Sequence, residues 1–107
     1  MSSTYTRPTG YRQLTWTAAG VSSLNSTSAP AISYKDVGAP AGVPPRSGKC
    51  YFFVDAGGAN MRFRDDGIAP TISMGVPVVS GMDYTGDMSL IQIYAPSGTK
   101  LGIFYTE

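Results

Sequence analysis

The residues with the most chemical potential in this chain lie together in NMRFRDDGIAPT, residues 60–71. Asp65 adjoins Asp66, Arg62 and Arg64 flank Phe63, and Asp83 and Asp87 follow in DYTGD. Paired carboxylates do general acid–base work when their surroundings push their pKa values apart. Neighbours on an extended chain turn to opposite faces, so Asp65 and Asp66 are not expected to flank one bond. A calcium loop needs oxygen ligands at alternate positions, and the run here is D-D-G. Asp83 and Asp87 could supplement a cation site, but no spacing rule demands it. The sequence holds no histidine. That removes the commonest general base, the commonest zinc ligand and the usual activator of a serine nucleophile. The expectation is a chain that is not an enzyme, with no catalytic residue, no metal, no cofactor and no small-molecule substrate.

A structural reading of the same stretch explains more of it. Asp-Gly is a strong turn former, because glycine takes positive φ and the Asp side chain bonds the amides that follow. Pro70 stops the ladder from resuming, and Thr71 can satisfy a backbone group. Asp65, Asp66, Gly67, Pro70 and Thr71 are therefore predicted to form a turn. Arg62 and Arg64 lie on its outer side, within reach of either aspartate or of a neighbouring subunit.

The elements that must carry this turn follow from composition and periodicity. Of 107 residues, 42% are hydrophobic and only 14% charged, with 13 Gly and 8 Pro; an average globular protein is roughly 25% charged. Ser, Thr, Gly and Pro take the place of charge, which suits an all-β chain with many turns. The formal net charge of +1 makes no case for nucleic acid, and no apolar run is long enough to cross a membrane. The N-terminal stretch MSSTYTRPTG lacks the apolar middle of a signal peptide. The single Cys50, set in the apolar KCYFFVDA, reads as a buried, inert thiol.

Residues 1–10 read as an extended arm and 11–107 as one domain. YRQLTWT (11–17) alternates, with Arg12, Leu14 and Trp16 on one side. Residues 18–31 read as loop and ISYKDV (32–37) as a short strand. Residues 38–49 hold three prolines and three glycines and read as a crossing loop. CYFFVDA (50–56) reads as a strand apolar on both faces, and MRFRD (61–65) alternates. VPVVS (76–80) reads as an edge strand because of Pro77. MSLIQIYA (88–95) places Leu90 inward, and KLGIFYT (100–106) puts Leu101, Ile103 and Tyr105 on one face. TGD (85–87) and APSGTK (95–100) read as turns. Short strands at this spacing predict an antiparallel β-sandwich or jelly-roll-like fold.

Residues 59–106 add a resemblance. They are similar to the C-terminal part of small virion structural proteins of tailed bacteriophages, which carry an A-x-x-R-[YF]-R-x-D-G-x-x-P-T signature. The matching positions are Ala59, Arg62, Phe63, Arg64, Asp66, Gly67, Pro70 and Thr71, followed by Gly75, Gly81, Tyr84, Gly86, Asp87, Ser89 and Ile91. The resemblance covers a little under half of the chain and leaves residues 18–49 outside it. It implies a capsid decoration or cement protein, or a neck, tail or fibre component of the virion, assembled in the bacterial host cytoplasm. Its implied partners are the major capsid protein or other virion proteins, and a homo-oligomer, dimer or trimer. Sandwich modules appended to carbohydrate-active enzymes look similar around D-G-x-x-P-T, so a carbohydrate-binding module is the alternative. Tyr51, Tyr84, Tyr94 or Tyr105 would then stack on sugar rings.

Tyrosine and arginine are favoured at interface centres. Candidate contact residues are Tyr5, Arg7, Tyr11 and Arg12 in the arm. Tyr34, Pro44, Pro45 and Arg46 join them from the middle segment, and Arg62 and Arg64 from beside the turn.

Overall fold

A computed structural model of the chain describes residues 10–24, 32–37 and 47–106. Nine strands run in order among them: β1 (Gly10–Trp16), β2 (Gly20–Ser23), β3 (Ile32–Val37), β4 (Ser47–Ala56), β5 (Arg62–Arg64), β6 (Val76–Pro77), β7 (Asp83–Asp87), β8 (Gln92–Ala95) and β9 (Lys100–Thr106). They form two sheets, one of order β3-β1-β9-β4-β7 and one of order β2-β8-β5-β6. Every pairing is antiparallel. The fold is all-β, with the inner faces of the two sheets sharing one core.

Alternation decides which side chains enter that core. From the five-stranded sheet come Leu14, Trp16, Cys50, Phe52, Leu101, Ile103 and Tyr105. Opposite them lie Met61, Phe63, Ile93 and Ala95 of the four-stranded sheet and its flanks. Trp16 stands where the chain leaves one sheet for the other. Its indole N–H donates to the Gly20 carbonyl at 3.1 Å, and its own carbonyl accepts from Gly98 N–H at 2.8 Å. Those two bonds tie the start of β2 and the β8–β9 turn to the end of β1. Burial pushes the Cys50 thiol up to about 12, so the thiolate is scarce at neutral pH.

Several expectations change. Residues 20–23 form β2 instead of loop, because Gly20, Val21, Ser22 and Ser23 pair with Ala95, Tyr94, Ile93 and Gln92 of β8. Residues 85–87 lie in β7 rather than a turn, with Gly86 opposite Gly48 of β4. β4 begins at Ser47, so the Pro/Gly-rich segment ends earlier than 49; residues 38–46 lie outside the described residues. β4 is buried on one face only, since Phe53 on the other is 37% exposed. Leu90 is 48% exposed instead of inward. A 3₁₀ turn at Met88–Leu90, capped by the Asp87 carboxylate on Ser89 N–H at 2.9 Å, shifts the phase so that Met88 and Ile91 go inside.

Gly10 and the two residues after it belong to β1, not to an arm. Arg12 faces the core, is 1% exposed, and its guanidinium donates to the Leu24 carbonyl at 3.2 Å. It is therefore no surface contact residue, because alternation carries it inward with Leu14 and Trp16. Truncating Arg12 to alanine removes a packed aliphatic stem and leaves a buried carbonyl without this donor. Arg12→Ala is expected to lose roughly 2–3 kcal/mol of unfolding free energy. Arg12→Met is expected to lose less, because it keeps the stem. Urea titrations of the two variants measure the difference.

Candidate protein-contact edge at the β5–β6 loop

The turn predicted from D-G-x-x-P-T is the beginning of a longer loop, residues 65–75, which joins β5 to the two-residue edge strand β6. Its polar groups are directed back onto the chain itself. Arg62 donates through Nε to the Ile72 carbonyl at 3.1 Å and through Nη1 to the Gly75 carbonyl at 2.9 Å. Arg64 forks onto Asp66, whose Oδ1 also accepts from the Ile68 amide at 3.3 Å. Thr71 and Met74 exchange backbone bonds at 2.9 and 3.3 Å, and Thr71 Oγ1 accepts from the Met74 amide at 3.0 Å. Pro70 is buried beneath the loop.

The two aspartates take separate partners. The Tyr84 hydroxyl donates to Asp65 at 3.0 Å, whereas Asp66 is engaged by Arg64. The hydrogen bond from Arg64 holds the Asp66 carboxyl below its ordinary value and raises the guanidinium in return. Asp83 pairs with Lys49 at 3.2 Å, and Asp87 caps the 3₁₀ turn. Among the described residues no three His, Cys, Asp or Glu side chains converge as a metal site would require. A depression of about 260 Å³ beside the loop is lined by Phe63, Arg64, Asp65, Asp66, Gly75 and Val76. It falls short of the roughly 300–1,000 Å³ of small-molecule pockets.

Asp65, Asp66, Thr71 and Ser73 are exposed even where they bond the chain, and aliphatic side chains stand exposed beside them. Ile68, Ile72, Met74, Val76 and Val79 are between 50% and 64% exposed. Ile68, Ile72 and Met74 were missed in the sequence because they follow neither strand nor helix period, and Val76 and Val79 were read only as part of an edge strand. Their signal was the run of apolar residues among turn formers. The β5–β6 ladder runs from Phe63 opposite Val76 through Arg62 opposite Pro77, and Val78 N–H then donates to the Met61 carbonyl at 2.9 Å. Pro77 thus stands at a step of the ladder where no N–H is needed, and it offers none on the free edge.

The other candidates are scattered. Tyr5, Arg7, Pro44, Pro45 and Arg46 lie outside the described residues. Tyr34 lies on the edge strand β3, paired with Leu14. Tyr11 is on the outer face of the five-stranded sheet, its ring 4.4 Å from that of Phe104, which meets Phe53 edge-on at 5.4 Å. Of the tyrosines considered for sugar stacking, Tyr105 is buried at 2% exposure and cannot stack on a ligand. Compared with protein-family profiles, curated proteins and solved structures, the chain has no match. No helix among the described residues is long and apolar enough to cross a membrane.

Two glycines separate conformational strain from crowding in this loop. Gly67 has φ +82 with open space where a Cβ would stand. At Gly75, φ is +131 and a Cβ would meet the Phe63 carbonyl oxygen at 3.0 Å and Pro70 at 3.2 Å. Gly67→Ala is expected to cost about 1 kcal/mol and Gly75→Ala about 2–3 kcal/mol. Urea midpoints order the two, and equal costs would mean that Gly75 is not seated as described.

Tyr84 supplies a pH test of the Asp65 contact. Burial, and then the hydrogen bond to Asp65, push its phenol from the ordinary 10.0 up to about 12. A raised value in the folded chain gives stability that is complete below pH 10.0 and is lost as pH rises toward 12. Asp65→Asn is expected to lower the Tyr84 midpoint while burial keeps it above an exposed tyrosine. Phenolate absorbance against pH, with Tyr84→Phe to assign the step, measures it.

Proposed function

We propose that this chain is a non-enzymatic structural protein of a tailed-phage virion, a decoration or cement protein that binds the assembled head. One observation carries the reading. Most of the residues that give the resemblance between Arg62 and Gly75 do structural work in one loop. Arg62, Arg64, Asp66 and Thr71 bond it, Pro70 packs beneath it, and Gly67 and Gly75 bend it. What they shape is a surface of outward aliphatic side chains, and such surfaces mark contacts with other proteins.

A protein of this kind works by repetition. Many copies on a regular shell let a modest contact act through effective concentration. Its partners are then the major capsid protein or other virion proteins, and its place is the virion. A neck, tail or fibre position uses the same surfaces.

One feature favours a second reading. The Tyr11, Phe104 and Phe53 rings form an aromatic group on the outer face of the five-stranded sheet, and sugar rings stack on such groups. The rings are inclined to one another by 41° and 84°, so they present no common plane. Cross-strand aromatic packing accounts for them.

Purified chain mixed with empty heads is expected to co-sediment with them and to pass unretained through a polysaccharide matrix. A truncation that removes residues 1–9 leaves β1 whole, unlike one that removes 1–12. It is expected to bind heads at least tenfold more weakly while keeping its circular dichroism. Retention on the matrix without co-sedimentation would replace this reading with the carbohydrate-binding one.

A further inference from the structure

We propose that the β5–β6 loop and the β6 edge form the docking surface for a second copy of this chain, packed about a twofold axis. The inference takes its biological sense from the assembly role above and names a partner for one face.

Size is the first argument. Ile68, Ile72, Met74, Val76 and Val79 are each at least half exposed, and summed, backbone included, they leave on the order of 500 Å² in water along this loop and edge, the scale of surface that marks a contact site on a monomer. Pairing two such edges removes at most about 1,000 Å² from these residues in total, the lower bound of a specific interface. One copy therefore supplies half of what a small stable contact needs, and a second copy supplies the rest.

Charge is the second. A twofold contact sets each surface against itself, so any net charge on it is repelled by its own image. Here Arg62, Arg64, Asp65 and Asp66 balance. Arg64 is neutralised by Asp66, and Arg62 is engaged by two carbonyls of its own loop. Two copies of this edge meet without like-charge repulsion.

Rigidity is the third. Backbone bonds between Thr71 and Met74, the Arg62 clamp and the buried Pro70 fix the loop before any partner arrives, so little ordering entropy is lost on contact. The mode of contact also follows. Pro77 denies a donor to an added strand, so the second copy packs side chain against side chain rather than extending the sheet.

The test uses the full chain and a variant carrying Ile72→Lys with Met74→Lys. Both positions are exposed, so circular dichroism should not move, and any fall in the urea midpoint should reflect lost association and disappear on dilution. Light scattering is expected to give a mass of two chains for the natural sequence and of one chain, a halving, for the variant. A monomeric natural chain, an odd-numbered oligomer, or a dimer that survives both lysines overturns the inference. A monomer that loses head binding on acquiring the lysines also overturns it, by assigning the edge to the capsid. The two readings fail separately. A dimer that ignores heads sinks only the virion role, and a monomer that coats them sinks only the twofold contact.

Discussion

One guanidinium determines what this protein shows to water at its most apolar edge. Arg62 sits on the outer side of β5, where a charged side chain ordinarily extends into solvent. It instead binds the carbonyls of Ile72 and Gly75, closing the loop onto the strand that precedes it. Bonds from a charged donor to backbone oxygens are stronger than neutral ones. With those two carbonyls engaged by Arg62, the Ile72 and Met74 side chains on the same closed loop stand more than half exposed.

The long alternating runs were legible in the sequence. β1, β5 and β9 place their inward residues as the pattern requires, because a period of two over several residues leaves one core face. Arg12 shows two rules in conflict. Residue type marked it as a contact residue and alternation marked it as interior, and alternation prevails because its stem and head both find partners inside. β2 and β7 were illegible since GVSS and DYTGD have the composition of turns; only pairing with β8 and β4 makes them strands. Leu90 was misplaced by a single cap, Asp87, which inserts a 3₁₀ turn and rotates the register. The positive φ of Gly67 and the bond from the Ile68 amide to Asp66 follow from the Asp-Gly pair, whereas the exposed aliphatic residues could not be read, because an irregular loop has no period from which orientation follows.

The two apolar groups on the surface differ in kind. Tyr11, Phe104 and Phe53 lie against one another across three neighbouring strands, so each ring already has company and the sheet gains from it. Ile68, Ile72 and Met74 stand on a loop instead, and Val76 on the edge strand, each at least half exposed. An apolar group that is already packed adds stability to the monomer. One that is not packed is a standing incentive to associate.

The proline of β6 has a bearing on how far such association can go. An edge that combines greasy side chains with open amides would recruit chain after chain, which is the route to fibres. Pro77 removes one backbone donor from that margin while the aliphatic groups beside it stay exposed. A contact made there through side chains finds no amide at Pro77 from which to continue the sheet.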